Sequence, residues 1–244
     1  MAGHSKWSNI KRRKEAVDDK RGRIFTKLGR ELQMAVRSGG PDPETNTVLR
    51  DAVARAKSYN MPNDSIKRSI ERAAGEGSGQ LDEIYYEGYG PGGAAVMVRA
   101  LTDNRNRTAG EVRHIFTKFG GNLGTDGCVA FQFERKGLLF IERQEDLDEE
   151  QVFMDALEAG ASDVFMEDEY MIEIETAPED FSAVRDRLAK TYSFIEQSLG
   201  PVPSVRIELP DEEDRANMEK MIDRLEDNDD VQDVYHNWEE EDPA

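Results

Sequence analysis

The sequence predicts a multidomain α+β protein, with a small N-terminal helical bundle followed by two ferredoxin-like α+β domains, the third inserted into the second. Three observations predict it. Apolar residues recur at three- and four-residue spacing up to residue 76, and at alternate positions beyond residue 81. The run Gly75-Glu76-Gly77-Ser78-Gly79 separates the two regimes as a linker. Residues 137–209 spell a complete β-α-β-β-α-β order. A helix and a strand remain after residue 210 that cannot form a domain alone. Added to residues 81–135, they complete a second sheet with two helices. The expected domains are therefore 1–76, 81–135 plus 210–244, and 136–209.

In the first domain, Ser8 is placed to cap a short helix through Val17. A second helix carries Ile24, Phe25, Leu28, Leu32, Ala35 and Val36 as one stripe and stops at Ser38-Gly39-Gly40-Pro41. A third carries Val48, Leu49, Ala52, Val53 and Ala56 and ends near Tyr59-Asn60. A fourth follows Met61-Pro62, with Ile66, Ile70 and Ala73 inside and Gly75 as its C-terminal cap. These stripes can be buried only against each other.

In the second domain, Ile84–Tyr89 and Ala94–Leu101 read as strands joined by Gly90-Pro91-Gly92-Gly93. A helix is expected from Thr108 to Phe119. Thr108 and Glu111 form its capping box, Val112, Ile115, Phe116 and Phe119 face inward, and Gly120-Gly121 ends it. Cys128–Phe133 reads as a further strand. In the third domain the strands are Leu138–Glu142, Asp163–Met166, Tyr170–Thr176 and either Glu196–Pro203 or Val205–Leu209. Its helices are Glu149–Ala159 and Glu179–Tyr192. Helix Glu212–Glu226 and strand Val231–Trp238 close the chain.

Composition narrows the function. The 244 residues are 37% hydrophobic and 34% charged, with a mean hydropathy of −0.73. That balance suits several small cores. The longest apolar run, Ala94–Val98, is far short of the ~20 residues a membrane span needs. The start is polar and basic without the apolar region of a signal peptide. One cysteine, Cys128, excludes a disulfide framework and a multi-cysteine zinc site. The expected setting is the cytoplasm, with no membrane, no metal, no cofactor and no small-molecule substrate.

Net charge is −19, and its distribution is uneven. Residues 1–37 hold eleven Lys/Arg against four Asp/Glu, whereas residues 137–244 hold eight against thirty-four. Such polarity points to a polyanion at the basic end. The basic arm supplies Lys6, Trp7, Lys11, Arg12, Arg13, Lys14, Lys20, Arg21, Arg23, Lys27 and Arg30. Lysine and arginine supply phosphate contacts, and Trp7 can stack on a base or sugar. Five duplex phosphate contacts would give a log–log salt slope of about −4.5, from roughly −0.9 per contact. The loop Thr102–Arg107 feeds a helix N-terminus, where free N–H groups favour an anion, and Arg105 and Arg107 flank it. It reads either as a second phosphate contact or as a capped polar loop. The acidic half reads either as a solvated surface or as a face that repels nucleic acid and docks on a basic protein such as a ribosomal protein.

Other motifs carry less. Gly88–Gly93 matches G-x-G-x-x-G, but a strand follows it and Pro91 lies inside, so it is a hairpin turn. His4, His114 and His236 lack ligand spacing, and no nucleophile, metalloprotease or P-loop signature occurs. His114 reads as a structural histidine and Cys128 as a small buried hydrophobe.

Three stretches resemble a known family. Met1-Ala2-Gly3-His4-Ser5-Lys6-Trp7-Ser8-Asn9-Ile10-Lys11, continuing through Lys14 and Lys20-Arg21 to Phe25, is similar to the N-terminal signature of the YebC family. Glu87–Gly93 and Thr102–Thr108 through Gly120–Gly124 resemble its other two signatures. The resemblance implies three domains and a cytoplasmic protein without accepted catalytic residues or cofactor. It implies a DNA-binding transcriptional regulator. It also implies an alternative, because mitochondrial relatives are translational activators and bacterial relatives are linked to ribosomes at proline-rich stretches. The combined expectation is a non-enzymatic nucleic-acid-binding regulator of gene expression. Its rivals are a ribosome- or ribosomal-RNA-associated translation factor and, more remotely, an RNA-processing enzyme.

Overall fold

A computed structural model describes residues 17–75 and 79–239, with side chains from Gly22 onward in the first helix. The expected helix from Ser8 lies outside the described residues. The rest forms two compact units: 17–130 with Pro210–His236, and Phe131–Leu209 with 237–239. In chain order, the second unit interrupts the first.

The first unit begins with three helices, α1 (Val17–Gly39), α2 (Thr47–Ser58) and α3 (Asn63–Ala74). Their apolar stripes meet as the spacing demands: Leu28, Leu32, Ala35 and Val36 pack with Leu49, Ala56, Ile66 and Ala73. Gly40, at φ 89°, ends α1 and donates its N–H to the Val36 carbonyl. Buried Asn46 then caps α2 by accepting from Leu49 N, while its amide donates to the carbonyls of Ala35 and Gly40. One side chain thus joins two helices. Gly75 caps α3 as expected, in an extended conformation (φ −78°, ψ 156°), and donates its N–H to the Glu71 carbonyl.

The same unit continues as a four-stranded sheet. Strands β1 (Asp82–Tyr89) and β2 (Ala95–Thr102) form an antiparallel hairpin through a 3-10 turn at Pro91–Gly93. Helix α4 (Arg105–Lys118) leads to the short β3 (Asn122–Leu123). After the second unit, α7 (Glu212–Glu226) and β8 (Val231–His236) return. The strand order is β3-β1-β2-β8, so a strand from the chain's end pairs with Val96–Ala100. Gly88 is obligatory here: a Cβ would lie 2.5 Å from the Asn122 carbonyl and 2.8 Å from the Phe116 ring.

The second unit holds β4 (Phe133–Glu142), α5 (Glu149–Ala159), β5 (Asp163–Phe165), β6 (Met171–Thr176), α6 (Phe181–Leu188) and β7 (Phe194–Pro203). Its antiparallel order, β5-β6-β4-β7, is that of the ferredoxin-like motif. Leu139, Ile141, Ile172 and Ile174 face Val152 and Ala156 of α5 and Val184 and Leu188 of α6. Opposite them, Leu138, Phe140, Met171 and Val202 form a second apolar cluster.

Four expected elements change. The capping residue of α4 is Asn104, whose side chain accepts from Arg107 N, so Thr108 lies inside the first turn and is buried rather than a cap. Cys128–Phe133 is not a strand, because the segment curls around Glu87 into a 3-10 turn at Ala130–Gln132 and only then enters β4. Of the two candidates for the last strand of this unit, Glu196–Pro203 pairs along β4, in a strand that starts two residues earlier at Phe194, and Val205–Leu209 does not. Strand β8 stops at His236, and Trp238 instead bridges Ile207 in parallel.

Candidate nucleic-acid interface

The predicted site residues divide into three groups. Lys6, Trp7, Lys11, Arg12, Arg13 and Lys14 lie outside the described residues. Lys20 and Arg21 belong to α1, in the part whose side chains are not described. Arg23, Lys27, Arg30, Arg105 and Arg107 are described: Lys27 and Arg30 are turned inward, Arg107 is ion-paired to a buried acid, and Arg23 and Arg105 reach solvent.

Arg23, Lys27 and Arg30 recur at four- and three-residue spacing, so they share one side of α1. That side meets the acidic turn between α7 and β8. Arg23 Nη1 lies 3.0 Å from an Asp227 carboxylate oxygen and remains half exposed. Lys27 Nζ donates to the Glu226 carbonyl at 2.6 Å, and burial holds its pKa below the usual lysine value despite the acids around it. Arg30 donates to the carbonyls of Leu101 and Asp229 and to the Asp230 carboxylate.

Asp230 gathers the loop arginine as well. Its Oδ2 accepts from Arg107 at 2.7 Å, Thr108 at 2.7 Å and Thr102 at 3.2 Å. The carboxylate is buried. Burial pushes its pKa up, but the bonds from Arg107, Thr108 and Arg30 outweigh that and hold it below the usual range. Arg107 also bonds Asp103. Arg105 is exposed and lies 3.4 Å from Asp82. At the start of α4 the Asn104 side chain caps the helix by accepting from the Arg107 N–H.

A second cluster was not legible in the sequence. Asp233 of β8 accepts from Arg55 of α2 at 3.1 Å and from Arg99 of β2 at 2.7 Å. Glu31 of α1 bonds Arg55 at 2.9 Å, and Glu83 of β1 bonds Arg99 at 2.7 Å. Desolvation opposes the Asp233 charge, but Arg55 and Arg99 win and lower its pKa to about 2. The two clusters tie α1 and α2 to the sheet over separations of 68 to 200 residues. No local pattern announces pairs so distant.

Two further expectations meet the structure here. Glu87 takes three backbone donors, from Gly127, Val129 and Ala130. Burial pushes this carboxyl up, but the three N–H groups hold it below the usual value. Cys128, in the loop thus clamped, is half-buried and its thiol is pushed up by desolvation and then by Glu87. His114 is exposed on α4. Among the described residues, no group of three or more His, Cys, Asp or Glu is placed to hold a metal ion. No described helix is long and apolar enough to cross a membrane.

With this geometry in hand, comparison with known proteins is decisive on kinship. Residues 5–76 match the model of the TACO1/YebC protein N-terminal domain, and residues 81–238 match that of the TACO1/YebC second and third domain. The chain belongs to the TACO1/YebC family. A relative from Acetivibrio thermocellus is 57% identical over 240 residues, covering 98% of this chain and 99% of its own. One from Clostridium novyi is 55% identical over 241 residues, covering 98% and 97%. Both are called probable transcriptional regulatory proteins. A crystal structure of a conserved hypothetical protein from Aquifex aeolicus superposes with a TM-score of 0.83 at 46% identity, covering 91% of this chain and 92% of that one. The TACO1/YebC architecture of helices followed by two α+β layers is thus shared along nearly the whole length.

Proposed function

We propose that this TACO1/YebC protein is a nucleic-acid-binding regulator of gene expression that grips phosphates through its N-terminal arm. The observation that carries this reading is charge placement. Residues 1–37 hold eleven basic against four acidic residues in a chain of net charge −19, and a polyanion is the partner such an end attracts. The names of the relatives support a regulatory role.

The inner contacts refine which residues grip. Lys27, Arg30 and Arg107 are spent on backbone carbonyls and Asp230. The proposed phosphate ligands are therefore Lys6, Lys11, Arg12, Arg13, Lys14, Lys20 and Arg21, with Trp7 stacking and the exposed Arg23 and Arg105 as outlying contacts. The ion clusters anchor α1 to the sheet and so give the arm a fixed base.

A second reading, a ribosome-associated translation factor, draws on one observation. Lys27 and Arg30, on the described cationic side of α1, are turned onto the protein's own acidic turn, so these two side chains are not free to enter a major groove. Structured RNA gripped by shape needs no such helix.

Charge reversal of Arg12, Arg13 and Arg21 tests the arm. Binding to duplex DNA and to a ribosomal RNA fragment should fall, and the salt slope should shrink by about one unit per lost contact. Thermal stability should not change, since charges that serve a ligand rather than the fold add little to it. Unchanged binding overturns the reading. In-cell ultraviolet crosslinking then separates the two targets: promoter DNA supports the transcriptional reading, ribosomal RNA the translational one.

A further inference from the structure

The ferredoxin-like unit has a surface that its own fold does not use. Helix α5, EEQVFMDALEA, packs on the sheet through Val152 and Ala156, with Ala159 completing the inner stripe. A helix in a two-layer unit needs only that stripe, and its outer side is ordinarily polar. Here Phe153, Met154 and Leu157 are 37%, 52% and 44% exposed. At 100° per residue, Phe153, Leu157 and Met154 fall in succession along the outer side, with Glu150 among them. Three large apolar side chains adjacent on one exposed helix mark a contact surface rather than scattered surface carbon.

Charge says what covers it. Helix α5 carries Glu149, Glu150, Asp155 and Glu158 and no Lys or Arg, although Arg143 and Arg187 of the same unit pair with Glu149 and Glu158 and Tyr192 donates to Asp155. The unit around it, residues 131–209, holds twenty acidic against seven basic residues. Nucleic acid is repelled by such a face. A second copy would bring the same acids against it, and a symmetric contact through α5 is opposed by its own charge.

We infer that the outer side of α5 docks a basic amphipathic helix of a partner protein, its apolar anchors on Phe153, Met154 and Leu157 and its lysines or arginines against the acidic rim. Apolar anchors give affinity, and the acids give encounter rate and choice of partner. Methionine at the centre suits partners of varied shape, being unbranched and polarizable. The inference does not depend on the nucleic-acid reading, because it concerns a different unit and an opposite charge.

The test uses the full chain and a designed 18-residue peptide with Leu and Trp at helical i, i+3, i+4 and i+7 positions and Lys elsewhere. A scrambled peptide of identical composition is the control. Anisotropy should show the amphipathic peptide binding roughly tenfold or more tighter than the scramble, and methyl resonances of Met154 and Leu157 should shift. Phe153→Ser with Leu157→Ser should weaken binding by about tenfold or more while arm-dependent DNA binding stays unchanged. Both side chains are exposed, so the fold should tolerate the change, and an unaltered thermal transition verifies that. Equal binding of the scramble, or indifference to the double substitution, overturns the inference. Sedimentation showing a dimer abolished by the same substitution also overturns it and assigns the surface to a second copy.

Discussion

The Arg30 guanidinium lies 2.5 Å from the carboxylate of Asp230, a residue 200 positions later in the chain. The same carboxylate accepts from Arg107 and Thr108, so one acid joins α1 of the bundle, α4 and the start of β8. Residues that look like phosphate ligands in sequence thus hold the helical bundle on the sheet.

Removing this acid should be costly. Asp230→Asn leaves Arg30 without its carboxylate partner at a half-buried place and leaves Arg107 with Asp103 alone. A loss of about 3 kcal/mol is expected, at the low end for a broken buried pair because Arg107 partly reaches solvent. Urea unfolding measures it. Adding Arg30→Met should restore part of the loss, since an unpaired charge costs more than an absent pair.

Acid should loosen the second cluster. The Asp233 pKa is depressed from 3.8 to about 2, so its stabilising contacts with Arg55 and Arg99 are complete above pH ~4. They disappear as pH falls through the folded value. Stability should therefore drop between about pH 4 and pH 2. Asp233→Asn should be less stable at neutral pH and show a flatter profile across that window.

Glu87 closes the loop 124–130 by a carboxylate that accepts three backbone N–H groups. Glu87→Gln replaces one acceptor oxygen by a donor facing donors. The expected cost is about 1–3 kcal/mol. Hydrogen exchange should locate it, with faster exchange at Gly127, Val129 and Ala130 and little change in α5.

Gly137 lies where β4 passes α6. A Cβ there would lie 2.3 Å from the Phe181 ring and from Thr176 Oγ1. Gly137→Ala should destabilise the ferredoxin-like unit by about 1–3 kcal/mol through overpacking. Differential scanning calorimetry should show the lowered transition.

Much of the fold was legible because it is local. The stripes of α1, α2 and α3 are periodic and close on each other, and the β-α-β-β-α-β order of the inserted unit needs only the order of its parts. Misplaced elements were those decided by a distant side chain. Thr108 looked like a cap because it precedes Glu111 by three residues, but Asp230 draws it inward. Cys128–Phe133 alternates like a strand, but Glu87 bends it into a turn. The arginines of the candidate site were visible as cations, whereas which of them face solvent depends on Glu226–Asp230.

By itself the sequence determined the helical stripes between residues 24 and 73, the change of period near residue 80, the β-α-β-β-α-β order of residues 137–209, the charge polarity and the family. These follow from spacing, chain order and composition, which are properties of neighbouring residues. Only the tertiary structure decided that Lys27, Arg30 and Arg107 serve the bundle's seat on the sheet, that Arg55, Arg99 and Asp233 join them there, and that Phe153, Met154 and Leu157 stay uncovered. The reason is physical: a charged or apolar side chain takes its role from what it meets, and here the partners lie up to 200 residues away.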